Sequence, residues 1–531
     1  MVGATRALGP VVTLSRRDAL RLLGAGALGT FAAAATTSAS GCSLLGSGSP
    51  EPRLLESEGP LPAPFRVPLP VPAVAKPVRT DATTDYYDLS PRVAEQEILP
   101  GLRTRIWGYA GAFPGPTLEA RSGRRVVVHQ TNQLPVPVVT HLHGGRTPAA
   151  SDGYPTDLLL PSHGDFPGRM GDPRANVARG SRGYDFPMDQ RAAALWYHDH
   201  RMDFTAPQVW RGLAGMCFVR DDDEDALPLP RGEQEVPLLI CDRAFDADGT
   251  LRYPALDPEL RAEPGVREAY AGGVLGDVIL VNGAPWPSLD VSTRRYRFRI
   301  LNASNARRYE LSLDPVPHGS PVFVQIGGDG GLLERPLARS TLTLAPAERL
   351  DVVVDFTGSP VGTTVLLRNS AAEGPAGRVM RFRVVRKERD ETSVPPRLSR
   401  IERLDPARAV ATRDLSFESG DVHGHSGWTI NGDPFDPIRA TARPRFGSTE
   451  VWRLTSDVAH PVHLHLVHFQ VLTIDGERPA ADLGWKDTID LRPAQTVEII
   501  ARFDGYRGRY AFHCHNLEHE DMAMMGNFEV V

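Results

Sequence analysis

"HCHNLEHEDMAMM", residues 513–525, sets a cysteine between two histidines, adds a third histidine and ends among methionines, all within thirteen residues. If the first of these residues lie on a β-strand, successive side chains alternate between its faces. His513 and His515 then share one face, and Cys514 takes the other. That geometry suits two metal sites set back to back rather than one.

Three more His-x-His pairs lie upstream: His141/His143 in "THLHGG", His198/His200 in "WYHDH" and His463/His465 in "HPVHLHL". A lone pair of this kind is a weak signal. Together the four pairs use eight of the 16 histidines, and neutral imidazole suits Cu, Zn, Fe and Ni. The remaining residues of the motifs form a second set: His460, Cys514, His519 and Met524. Two histidines, a cysteine and a weak axial methionine are the ligands of a blue-copper electron-transfer site. A zinc hydrolase is the rival reading, but it uses carboxylate ligands with an open position. No carboxylate is interleaved here in that pattern, and zinc has no redox use for a thiolate. The donor set selects copper.

The chain repeats one layout about three times. "AFPGPTLEARSGRRVVVHQTN" (112–132), "VNGAPWPSLDVSTRRYRFRILNAS" (281–304) and "INGDPFDPIRATARPRFGSTEVWRLTS" (430–456) each join a proline-containing turn, a short strand and an alternating strand. Later landmarks recur too: "DFPMDQRAAALWYHDH", "LAPAERLDVVVDF" and "LRPAQTVEIIARF". This spacing, with 50 glycines and 47 prolines for turns, predicts an all-β chain of Greek-key β-sandwiches without a sustained amphipathic helix. The predicted domains span residues 65–225, 226–395 and 396–531. The first and third copies carry His-x-His pairs where the middle copy has "RYELSL" and "MRFRVV". A metal site between domains 1 and 3 follows.

Hydrophobic residues make up 41% of the 531, enough for several cores. A formal charge of −6 gives no electrostatic footprint for nucleic acid. Residues 1–42 pair Arg16 and Arg17 with a short Gly/Ala-rich apolar run, Leu22–Ala35, too short for a permanent membrane helix. The segment resembles a twin-arginine export signal. "ASGC" at 39–42 resembles a lipoprotein processing site with Cys42 as the lipidated residue; an ordinary signal with an incidental cysteine is the alternative. Residues 43–64 read as a flexible Ser/Gly/Pro-rich tether. The protein is therefore expected outside the cytoplasm, with Cys42 a candidate anchor to the outer face of the membrane. Cys217 and Cys241 are open to a disulfide, although apolar runs around each favour buried free thiols.

Taken together, "HLHGG", "WYHDH", "HPVHLH" and "HCHNLEHEDMAMM" resemble the four copper motifs of the multicopper oxidases, in particular the three-domain bacterial laccases and bilirubin-oxidase-like spore-coat proteins. The resemblance covers essentially all of the chain after the tether. It implies three cupredoxin-like domains, four copper ions and one-electron oxidation of a substrate coupled to reduction of dioxygen to water. By motif, His460, Cys514, His519 and Met524 would hold the type 1 copper, and His141 and His463 the type 2 copper. His143, His198, His200, His465, His513 and His515 would hold the type 3 pair. The resemblance also implies that Glu520 and Asp152 supply protons, against the plainer reading of both as solvated loop carboxylates. Trp485 and Asp487 match the pattern as well, but packing explains them equally well.

Some histidines and methionines stand outside these sets. His423 and His425 read as exposed, His468 as a core or supporting residue, and Met522 and Met525 as packing around Met524. The expected reducing substrate is a small phenol, aromatic amine or pigment, with electrons taken up through His519 or His460. A metal-ion oxidase for Cu(I), Mn(II) or Fe(II) is the alternative enzyme; nine methionines without a further cluster count against the cuprous version. A non-catalytic copper-binding envelope protein is the third reading, opposed by the complete ligand set. Oligomeric state is open.

Overall fold

The computed structural model describes residues 50–164, 166, 171–317, 322–422 and 424–531. The export signal, Cys42, the first part of the tether and His423 lie outside the described residues.

Alternation of buried and solvent-facing side chains builds the outer strands. In Arg125–Thr131, Val126, Val128 and Gln130 point inward and their neighbours outward. It lies in a four-stranded sheet with Ser181–Phe186, Thr84–Asp88 and Arg79–Thr80. Facing it is a second sheet in the order Gly115–Arg121, Ala214–Arg220, Ala193–Asp199, Thr140–His143. Ala193–Asp199 ("AALWYHD") is buried along its whole length, because both faces are covered. Ala193, Leu195 and Tyr197 enter the core of the first sandwich. Ala194 and Trp196 enter a core shared with Leu238, Ile240 and other residues of the middle sheets. Each large apolar side chain so buried contributes about 1.5–3 kcal/mol. The first and middle sandwiches are therefore fused along one sheet.

The middle strands form an eight-stranded and a five-stranded sheet. The last block repeats the first, with a five-stranded sheet facing Thr488–Leu491, His460–Leu464, Gly508–Cys514 and Met525–Val530 in that order. Among the described residues the longest helix is Thr205–Trp210, and none is long and apolar enough to cross a membrane. The expectation of an all-β chain is met.

The tether needs correction. From Pro50 onward the chain is held: Arg53–Leu55 pairs in parallel with Val274–Gly276, and Ser57 donates through N and Oγ to the Asp277 carboxylate at 2.9 and 2.5 Å. The Val274–Gly276 strand and one half-buried carboxylate supply partners that composition does not reveal. Cys217 and Cys241 are buried free thiols in different cores.

Candidate metal centre

The repeat places the histidines. In the first block His141 lies directly opposite His198 on neighbouring antiparallel strands; in the last, His463 lies directly opposite His513. His200, His465 and His515 each follow a strand end by one residue, so strand alternation alone does not set them. All eight side chains are at most 1% exposed.

They converge as two triads and a pair. Nε2 of His513 lies 3.2 Å from Nε2 of His200 and 3.3 Å from that of His465. The ring of His515 is centred 5.1 Å from that of His143 and 5.2 Å from that of His198. His141 and His463 bring their Nε2 atoms to 3.4 Å. Burial, then the neighbouring imidazoles, holds His141, His200, His465 and His515 well below the usual histidine range. Burial takes His198 down to about 3. Nδ1 of His143, Nε2 of His198 and both ring nitrogens of His515 have no hydrogen-bond partner. Neutral imidazoles with unpartnered buried nitrogens facing one another are costly unless a cation accepts their lone pairs. The residues fit a metal cluster.

Hydrogen bonds from the opposite ring nitrogen fix five of the eight rings, as metal binding by histidine requires. His141 Nδ1 donates to Asp152 O (2.6 Å), His198 Nδ1 to Asp199 O (2.8 Å) and His513 Nδ1 to Cys514 O (3.1 Å). His463 Nδ1 donates to Asp487 O at 2.9 Å and His465 Nδ1 to Asp152 Oδ2 at 2.7 Å. Asp152 and Glu520 are wholly buried, not solvated loop acids. Burial holds the Asp152 carboxyl well above the usual carboxylate range. Glu520 Oε1 accepts from Thr205 Oγ1 at 2.7 Å, and its Oε2 lies 3.1 Å from His513 Nδ1.

Behind the same strand lies the second centre. Cys514 Sγ is 3.5 Å from His460 Nδ1 and 3.7 Å from His519 Nδ1, and these two nitrogens are 3.1 Å apart. The far nitrogens are tied down: His460 Nε2 donates to Asp457 Oδ1 (3.1 Å) and His519 Nε2 to Gly272 O (3.2 Å). Trp428 stacks on His519 at 3.7 Å between ring centres. Met524 is fully buried in the same apolar core as Cys514, and its backbone bonds to Cys514 N and His519 O. Burial pushes the Cys514 thiol up, so a thiolate there needs a bound cation. Met525 packs instead with Tyr154 and Phe435, away from Met524.

The comparisons with known proteins agree with this geometry. Two multicopper oxidase profiles match the chain, one over residues 92–166 and 168–224 and the other over 409–531. A laccase of Bacillus subtilis is 37% identical over 516 residues, covering 87% of this chain and 97% of the relative. The chain belongs to the multicopper oxidases. A bilirubin oxidase of Albifimbria verrucaria is 34% identical over 506 residues, with 87% of this chain and 81% of that protein covered. A crystal structure of a multicopper oxidase from Pediococcus acidilactici matches with a TM-score of 0.76 at 30% identity, over 90% of this chain and 93% of that one. The sandwiches are accordingly cupredoxin-like, and this multicopper oxidase is a copper oxidoreductase with dioxygen as acceptor.

Several site residues escape a reading of the sequence. Asp487, which matches the family pattern but which packing explains equally well from sequence, bonds His143 Nε2 at 3.1 Å. Asn516 donates its backbone N–H to Cys514 Sγ at 3.4 Å. Gly272 acts through a carbonyl oxygen, for which the sequence holds no signal. Neither His460 (0% exposed) nor His519 (2%) reaches the surface. His460 contacts Asp457, whose side chain is 29% exposed, while Gly272 lies against the backbone of Pro50 and Glu51.

Proposed function

We propose that this multicopper oxidase takes electrons one at a time from small phenols, aromatic amines or related pigments and passes them to dioxygen, yielding water. Four coppers fit the donor sets: one at His460, Cys514, His519 and Met524, one at His141 and His463, and a pair at the triads His200/His465/His513 and His143/His198/His515. Bound copper supplies one-electron redox chemistry at the thiol centre and a multi-electron store at the histidine cluster, which dioxygen needs if partly reduced species are not to escape.

The chain's own residues do the rest. Burial keeps bulk water from both centres. Asp152, whose raised affinity for protons comes from its buried setting, and Glu520, against His513 and Thr205, are the acids placed to deliver protons to the reacting oxygen. The observation that carries this reading is the double use of Cys514. Its thiol faces His460 and His519, while its carbonyl accepts from His513, so one residue joins electron uptake to oxygen reduction. The twin-arginine-like segment and Cys42 support export and lipid anchoring at the outer face of the cytoplasmic membrane.

Dioxygen uptake by copper-loaded protein, against a phenol, an aromatic diamine, bilirubin, Cu(I) and Mn(II), tests the reading. Rapid uptake with the organic donors is expected. Uptake with a metal ion alone would replace the reading with a metal-ion oxidase.

A further inference from the structure

His143 is turned the opposite way to five other histidines of the cluster. His141, His198, His463, His465 and His513 tie Nδ1 to an oxygen and present Nε2. His143 instead turns Nε2 to Asp487 Oδ1 and Thr488 Oγ1, each at 3.1 Å, and leaves Nδ1 without a partner. What holds Asp487 comes from the block without metal ligands. Arg349, wholly buried, donates Nη1 to Asp487 Oδ1 at 2.7 Å and Nη2 to Asp487 Oδ2. The same guanidinium donates Nε to Ala194 O of the first block at 2.9 Å, and Nη2 to Asp329 O of the middle block at 3.1 Å. One planar group thus grips all three blocks, a geometry that lysine cannot copy.

The surroundings are built for this contact. A Cβ on Gly144, next to His143, would lie 2.7 Å from Arg349 Nη2 and 2.8 Å from Asp487 Oδ2. The turn beside Asp329 is wedged between the outer blocks: a Cβ on Gly330 would meet Trp485 Cβ at 2.5 Å, and one on Gly331 would meet Ala192 O at 2.1 Å. Asp487 also sets His463, through its carbonyl oxygen.

We propose that Arg349 is a positioning residue for the histidine cluster: through Asp487 it fixes the ring orientation and tautomer of His143 and the placement of His463, so that the middle block governs assembly of the oxygen-reducing centre. The thiol centre is built without it. The inference rests on the reading of the eight histidines as a copper cluster.

The test compares wild type, Arg349→Met, Arg349→Lys and Asp487→Asn, measuring copper per chain, the blue absorption of the thiol centre, the paramagnetic resonance of the remaining coppers and the unfolding midpoint of the metal-free proteins. For Arg349→Met, a fall in copper affinity of the histidine cluster of about 10–100-fold is expected, with the blue absorption retained. Arg349→Lys should fall between the two, and Asp487→Asn should reproduce the loss with the guanidinium present. Unchanged copper content and resonance in Arg349→Met would overturn the proposal. So would equal loss at both centres in all three variants, which marks a folding role alone. Wild-type protein that loads the thiol centre only would instead sink the underlying reading of the cluster.

Discussion

The carbonyl oxygen of Cys514 accepts a hydrogen bond from Nδ1 of His513 at 3.1 Å, while the thiol of the same residue points the other way, to His460 and His519. Strand alternation sets His513 and the Cys514 thiol on opposite sides of one backbone, so that backbone links the two centres covalently. Cys514→Ser keeps that backbone and removes the soft ligand. The variant should lose its blue absorption and its dioxygen uptake, yet retain copper in the histidine cluster by metal analysis. Persistent turnover would refute the assignment.

Asp152→Asn retains an oxygen that accepts from His465 Nδ1, but no ionisable proton. Copper content should hold, while turnover falls by about 10²–10⁴-fold, the usual worth of a placed acid. Stopped-flow reoxidation of the fully reduced enzyme would show whether the slowed step is the one with dioxygen; slowed reduction by the donor would argue against it.

Trp428 is fully buried, stacks on His519 and donates Nε1 to Ala271 O at 3.2 Å. Trp428→Ala should cost about 3–5 kcal/mol through the cavity left behind. It should also free the His519 ring, weakening copper retention at the thiol centre before the histidine cluster. Chemical unfolding and stepwise chelation read the two effects separately.

Glu235 joins the first and middle sandwiches through Arg220 Nη1 (2.7 Å) and Arg299 Nε (2.8 Å). Burial pushes its carboxyl up, but Arg299, Arg297 and Arg220 outweigh that and hold it at about 2, against 4.5 for the free group. Because the folded value lies below the unfolded one, the stabilisation is complete above pH 4.5 and is lost as pH falls through about 2. The difference corresponds to about 3 kcal/mol. Glu235→Gln should flatten denaturant midpoints across that window; an unchanged acid slope would contradict it.

The amino-acid sequence alone picked out the histidines and cysteine that the fold gathers, and the class of fold. Metal chemistry demands particular residue types at fixed spacing, and strand alternation is a local rule that sets His513 and Cys514 on opposite faces. The motif therefore declares itself within three residues, even though His515 lies just past the strand end. Repetition of the layout told which blocks carry histidines. The tertiary structure alone decided what supports them. His143 and Asp487 are 344 residues apart, and Arg349 reaches both outer blocks from a strand that reads as ordinary sheet. Gly272 serves through a carbonyl oxygen and the chain from Pro50 through backbone pairing, groups that every residue carries. A carbonyl or a buried guanidinium gains a role only when distant strands close around it, and no spacing along the chain records that closure.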